Sequence, residues 1–309
     1  MHIFHTDFEF VISAEPFSKN SDLTLTPLHA PSELDFDLRT FDELQSSGFA
    51  EAKEIDFEGA VTAIEVLNKS DAFLLLLDGE AILGAKQNRI CQKSMIIAPN
   101  SAARVPVNCI EQGRWRYDES DDFRSGDFVA SPRIRERKIE MLKRGREEMV
   151  QQDTWREVEK ISLSMEVHSA SSDLGEIYRN KSVDNELPYI EFLNKWPANG
   201  YFVQGVGKPF IELFHSEELC KSHMIKSIRG LLADTNRIRR QRQVDGANDE
   251  VTVEAVEALS ALKNTKWRKD KPAGCEGALI ADGDKTGRVI SLGKQFVHGF
   301  FSLGTSADV

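Results

Sequence analysis

The sequence predicts an α+β fold: a β-rich N-terminal half, sandwich- or barrel-like, packed on a C-terminal half of helices, a hairpin and a terminal β-meander. Three observations carry this. Apolar runs of strand length, parted by short polar turns, crowd residues 60–117. Helix-start signals become frequent only from Ser131-Pro132 onwards. The tail after Gly277 returns to short strands around Gly-rich turns. Strands first and helices afterwards argue against a doubly wound sheet. No repeat of fixed period is present.

In order along the chain, residues 1–60 read as short strands and loops with a helical turn at Phe41-Asp42-Glu43-Leu44. Val61 to Leu67 is a strand, Asn68 to Asp71 a polar turn, and Ala72 to Leu77 a second strand. The unbroken Phe73-Leu74-Leu75-Leu76-Leu77 does not alternate, so apolar groups must cover both its faces. That cover predicts one integrated unit over 1–309, with 1–117 as its β-rich part and 131–304 as its helical and hairpin part. Ser94 to Ala98 and Ala103 to Asn108 read as a strand pair around Pro99-Asn100-Ser101. An acidic loop at 118–122 marks the change of composition.

Ser131-Pro132 then supplies a cap and a first-turn proline for a helix towards Met149. Thr154 and Glu157 have capping-box spacing for the next helix. Asp184 can cap a third, with Leu187, Ile190 and Leu193 facing inward. A hairpin follows, with strands Tyr201 to Gln204 and Phe210 to Phe214. Ser216 caps a long helix to about Asp234, and the polar stretch Asn236 to Asp249 reads as mobile. Val251 to Lys263 is helical by period, and Gly277 to Ala281, Arg288 to Leu292 and Gln295 to Ser302 form the meander.

The chain has 309 residues, 40% hydrophobic content and a net charge of -11, which suits a charged surface around a large core and argues against duplex DNA as main partner. Cys91, Cys109, Cys220 and Cys275 contain no C-x-x-C pair, so reduced thiols are expected. Met1 to Asp7 lacks a basic segment followed by an apolar one. Ala72 to Leu77 is far too short to span a membrane. A cytoplasmic location is expected.

Polar clusters interrupt the apolar strands at Asn68-Lys69-Ser70-Asp71, Asp78-Gly79-Glu80, Gly84-Ala85-Lys86-Gln87-Asn88-Arg89 and Pro106 to Trp115. With weaker matches at Trp155, Gly200 to Asp234 and Val297-His298, these motifs resemble a poorly characterised family. It is named for association with ADP-ribosylglycohydrolases and a rhodanese-phosphatase superfamily. The resemblance runs from about residue 40 to 302. It implies a setting of ADP-ribose or NAD-type metabolites, or of prokaryotic defence systems, without naming a reaction or a cofactor.

In that setting Arg89 and Arg114 are candidate phosphate ligands, since guanidinium groups bind phosphate bidentately. Gln87, Asn88 and Asn108 can read a base edge, and Trp115 can stack on adenine. Glu80 and Glu111 can hold ribose hydroxyls or act as general bases, and His298 is the histidine candidate. The competing reading uses the same groups as Arg–Glu pairs and amide bonds that satisfy buried turns; for the cluster as a whole, the site reading is preferred. A core histidine is the preferred reading of His298 alone, and a small buried thiol that of Cys109. No metal site is expected. Gly205-Val206-Gly207-Lys208 lacks the phosphate-loop frame.

Basic stretches at Arg133 to Arg146, Arg237 to Arg242 and Lys266 to Lys271 form a candidate face for nucleic acid or a protein partner, with Trp267 stacking on a base. Interspersed Glu136, Glu140, Glu147 and Glu148 favour an ordinary solvated helix. The expected function is binding of a nucleotide-derived ligand, with processing of that ligand as an extension of the same reading. The alternative is a non-catalytic interaction or regulatory module using the basic stretches.

Overall fold

The computed structural model describes residues 10–19, 22–31, 34–55, 62–114, 122–180, 183–245 and 253–304. The acidic loop at 118–121 lies outside them. Strands β1 (Val11–Ile12), β2 (Thr24–His29) and β3 (Leu38–Thr40) lead into α1 (Phe41–Ser46). Then come β4 (Ala50–Lys53), β5 (Ala63–Asn68), β6 (Phe73–Leu76), β7 (Glu80–Gly84), β8 (Arg89–Cys91), β9 (Met95–Ile97), β10 (Ser101–Cys109) and β11 (Asp122–Val129). Helices α2 (Pro132–Lys143), α3 (Val150–Met165), α4 (Leu174–Arg179) and α5 (Val183–Lys195) precede β12 (Gly200–Gln204) and β13 (Phe210–Phe214). Helices α6 (Glu217–Asp245) and α7 (Ala255–Lys263) are followed by β14 (Trp267–Lys269), β15 (Gly277–Ala281), β16 (Thr286–Leu292) and β17 (Gln295–Ser302). The α+β class and the terminal meander are as the sequence predicts.

The β-rich half closes into a barrel in the order β10-β5-β4-β11-β7-β8. Alternation fills its interior with Ala52, Ile64, Val66, Ile82, Val105, Val107 and Phe123. A three-stranded sheet, β3-β6-β9, caps it. Leu74 and Leu76 of β6 join the barrel core, whereas Leu75 and Leu77 join a second core against the larger sheet and α6. The expected two-sided cover of this strand is therefore present. Its partner β9 pairs with β6 rather than with β10, which corrects the expected pairing across Pro99.

The eight-stranded sheet runs β1-β2-β12-β13-β17-β16-β15-β14. Its strand β2 comes from the N-terminal region and pairs with β12 of the hairpin. Four helix expectations change. Helix α2 ends at Lys143, where Gly145 adopts φ +67° and closes the last turn through its N–H to Leu142 O. Helix α3 starts at Val150, so Thr154 lies inside it and bonds back to Val150 O instead of capping. Within α5, Leu187 faces outward, while Leu193 is buried. Helix α6 continues to Asp245, which makes residues 236–245 helical; the rest of the segment expected to be mobile lies outside the described residues.

Candidate functional site

The motifs of the barrel converge where β8 pairs with the end of β10, placing Cys109 opposite Arg89. Gln87 Nε2 donates to Glu111 O at 2.7 Å, and Asn88 N donates to Glu111 Oε2 at 3.1 Å. Arg114 reaches across, with Nε to Glu111 Oε2 at 2.9 Å and Nη1 to Ala85 O at 2.7 Å. Asn88 Oδ1 accepts from Gly84 N at 3.0 Å. The turn being clasped is a demanding one. Gly84 has φ +122° and Ala85 φ +44°, and a Cβ on Gly84 would lie 2.6 Å from Asp122 O. These side chains thus hold a strained turn against the strand end.

Arg89 does not join them. Its side chain points into the barrel, is 0% exposed, and donates to Glu54 Oε1 and Oε2 at 2.8 and 3.0 Å under the Phe123 ring. Strand alternation sends a residue next to Asn88 to the opposite face. The expectation of Arg89 and Arg114 as twin phosphate ligands is corrected on this ground. Asn108 is buried, and neither of its amide atoms has a hydrogen-bond partner among the described residues. Trp115 lies outside the described residues.

Glu80 and His298 belong to a different place, the junction of barrel, large sheet, α2 and α6. Glu80 Oε2 accepts from Leu77 N at 3.1 Å, and its Oε1 lies 3.7 Å from His223 Nδ1. His223 Nε2 is 3.3 Å from Glu212 Oε1, which also meets His298 Nε2 at 3.1 Å. The other ring nitrogen of His298 meets Ser94 Oγ at 3.1 Å. Arg135 clamps Glu212 with both terminal nitrogens and reaches Asp78 Oδ2 through Nε at 3.2 Å. Lys138 Nζ binds Asp78 Oδ1 at 2.5 Å and Cys91 O at 2.8 Å.

Burial raises the pKa of the Glu212 carboxyl, but Arg135 and the two histidines hold it well below the usual range. Glu80 is likewise lowered, since His223 and Lys226 outweigh its burial. Burial also lowers His223, yet Glu212 and Glu80 bring its net shift upwards. For His298 burial wins and its pKa falls. Of the two imidazoles only His298 is hydrogen-bonded to Glu212; both His223 nitrogens lie within ion-pair distance of a carboxylate without a hydrogen bond, so the arrangement is a buried charge cluster.

Helix α2 buries Arg135, Glu136, Lys138 and Glu140. The reading of Arg133 to Arg146 as a solvated or polyanion-binding face is therefore corrected over residues 133–140, where Arg133 and Lys208 pair with Glu136, Arg137 pairs with Asp153, and Glu140 takes Thr286, while Arg144 and Arg146 are exposed. The sequence reading placed Asp78 in a motif and Arg135 and Lys138 in a basic stretch, but named none of these, nor Glu212 or His223, as a site residue. A signal was present in Glu212, a lone charge inside the apolar run Phe210 to Phe214. Trp267 is half-buried, with its ring 6.0 Å from that of Phe301.

An open cleft of about 220 Å³ lies between α3, α5 and α6. Lys19, Asp22, Tyr189, Arg229, Arg239 and Arg240 are among its lining residues. Arg240 Nη1 lies 3.0 Å from Glu166 Oε1, and Arg239 Nη1 lies 3.8 Å from Asp22 Oδ2. Both arginines are more than a third exposed. Arg229 is more enclosed and pairs with Asp127 and Glu186. None of the barrel-motif residues lines this cleft, although Arg229, Leu232 and Ala233 belong to the weaker match Gly200 to Asp234.

A closed six-stranded barrel joined through buried ion pairs to a helix-backed antiparallel sheet defines an α+β protein of barrel-and-sheet class. The chain belongs to the ARG and Rhodanese-Phosphatase-superfamily-associated Protein domain family, which matches residues 12–302. No curated protein and no solved structure matches it. Among the described residues no helix is long and apolar enough to cross a membrane.

Proposed function

We propose that the protein binds a phosphate-bearing, nucleotide-derived ligand in the cleft between α3, α5 and α6. The observation that carries this is the contrast between its arginines and those of the motifs. Arg239 and Arg240 hold exposed carboxylates, and exposed pairs contribute roughly 0–1 kcal/mol, so a phosphate can replace Asp22 or Glu166 at little cost. Releasing Arg89 or Arg135 from a buried partner costs about 3–5 kcal/mol, more than most ligand contacts return.

The cleft also offers amides from Asn185 and Asn236 and the ring of Tyr189, the complements of a base and its sugar. Its volume of about 220 Å³ is below the roughly 300–1,000 Å³ usual for pockets that enclose a drug-sized ligand. It suits the phosphate end of a nucleotide, with the remainder on the surface. The family's association with ADP-ribosylglycohydrolases supports ADP-ribose as the first ligand to try.

The test is calorimetric titration of the protein with ADP-ribose, NAD, AMP and a short oligonucleotide. Saturable binding of a nucleotide, lost in an Arg239→Glu/Arg240→Glu variant, supports the reading. Binding of the oligonucleotide alone favours the interaction-module alternative, carried by Arg237 to Arg242 and the exposed Arg268 and Lys269 of β14. Absence of any binding overturns both.

A further inference from the structure

Helices α1, α2 and α3 end in the same pair of backbone bonds. In each, one residue at the helix end turns left-handed and donates its N–H to the carbonyl three residues back, and the next residue donates to the carbonyl five residues back. Gly48 holds the left-handed position after α1, with φ +78°, and Gly145 holds it after α2, with φ +67°. After α3 the position is filled by Glu166, with φ +53°. Glycine suits this motif because any Cβ crowds the neighbouring carbonyl there. Glutamate adds a second unfavourable element, a negative charge at the negative end of the α3 dipole. What the side chain holds in return is Arg240: Glu166 Oε1 lies 3.0 Å from Arg240 Nη1, with the two side chains 71% and 37% exposed. Exposed pairs of this kind stabilise a fold little. Local energetics alone would therefore place glycine at 166, as at 48 and 145. Backbone strain retained around a weak contact points to function.

We propose that Glu166 is an autoinhibitory gate residue: its carboxylate occupies Arg240 in place of a ligand phosphate, and the phosphate must displace it to bind. The inference rests on the reading of the cleft between α3, α5 and α6 as a phosphate site. Arg240 lines that cleft, as do Ser164 and Met165 in the last turn of α3, so Glu166 stands at its rim. Carboxylate and phosphate oxygens compete for the same guanidinium N–H groups, so occupation of Arg240 by one excludes the other.

The gate opens by side-chain rotation. The backbone around Glu166 is fixed by the bonds from Glu166 N to Leu163 O and from Val167 N to Ser162 O, and Val167 is anchored in the core beneath α3. The Glu166 carboxylate, by contrast, is exposed enough to leave Arg240 for water without disturbing that anchor. Ligand affinity is reduced by the fraction of molecules in which the pair is formed. The cleft is thereby held to ligands whose phosphate outcompetes a carboxylate on Arg240.

The experiment measures ADP-ribose binding by titration calorimetry, and melting temperature without ligand, for the full chain as wild type, Glu166→Gln and Glu166→Gly. Both variants release Arg240 from its carboxylate. Each should bind ADP-ribose about two- to fivefold more tightly than the wild type, the factor that an exposed ion pair accounts for. Glu166→Gly should also melt above the wild type, because it removes both the left-handed strain and the charge at the helix end. Binding detected in the variants but not in the wild type supports the proposal as well, since the gate then holds the cleft shut. Unchanged or weaker binding in Glu166→Gln, with the wild type binding, overturns the gate and leaves the cleft reading in place. A lower melting temperature for Glu166→Gly overturns it too, since Glu166 would then be a structural strut. Failure of all three proteins to bind overturns the gate together with the cleft reading.

Discussion

The Glu212 carboxylate is shared by Arg135, His223 and His298, and Arg135 carries the charge on to Asp78. Removing one member strands the others in low dielectric. Arg135→Met should destabilise the protein by about 3–5 kcal/mol in urea denaturation, as expected for a broken buried pair. Arg89→Met should behave similarly, while Arg89→Met/Glu54→Leu should recover most of the loss because no uncompensated charge remains. The two histidines pull stability in opposite directions. His223 has a raised pKa, so its contribution is complete below the ordinary value of 6.5 and is lost as pH rises through its folded-state pKa. His298 has a lowered pKa, so its contribution is complete above 6.5 and is lost as pH falls through its folded-state pKa. Glu80 and Glu212, both lowered, add stability above the ordinary 4.5 that is lost on acidification through their folded-state pKa values. Proton NMR of the imidazoles should show His223 titrating above 6.5 and His298 below it, with His223→Gln and His298→Gln assigning the signals. The reverse order would contradict the Glu212-centred account.

Glycine in a helix normally weakens it, and replacement by alanine gains about 1 kcal/mol. Gly230 of α6 should show the opposite sign, because a Cβ there would sit 2.9 Å from Val129 O and 3.0 Å from Ser131 Cα. Gly230→Ala should therefore lower the melting temperature, and a rise would mean that α6 does not pack on β11 as closely as described. The elements differ in how much of them was legible. The helical turn at Phe41 to Leu44, the apolar block of β6 and the β12–β13 hairpin carry local signals, and each predicted element is present. Strand β11 was missed because Asp122, Arg124 and Asp127 make it look like loop; barrel closure, a non-local constraint, makes it a strand. Helix α2 was found but turned the wrong way. Its mixed charges have the pattern of a solvated surface, and only tertiary contacts with Asp78, Glu212 and Lys208 show that they are internal. The same holds for the motif site: Gln87, Asn88, Glu111 and Arg114 do meet, but strand alternation diverts Arg89, and of the cleft between α3, α5 and α6 only the basic stretch Arg237 to Arg242 stands out in the sequence.

Across the whole molecule, β6 contributes alternate leucines to two cores, and β2 ties the N-terminal region into the sheet of the C-terminal half. We infer from this sharing that the chain unfolds as one unit. Tryptophan fluorescence and far-ultraviolet circular dichroism should report coincident transitions in urea, and separated midpoints would mean that barrel and sheet are independent. At this scale the central claim is a division of labour, with buried arginines of the barrel and α2 as struts and exposed arginines of α6 as ligand groups. Melting temperature with and without ADP-ribose, for the wild type, Arg114→Ala and Arg239→Glu/Arg240→Glu, tests it most directly, since a ligand that binds only the folded state raises its stability by mass action. The account predicts that Arg114→Ala lowers the baseline but keeps the ligand-induced rise, whereas Arg239→Glu/Arg240→Glu leaves the baseline nearly unchanged and abolishes the rise. A rise that survives in the α6 variant and vanishes in Arg114→Ala would contradict it.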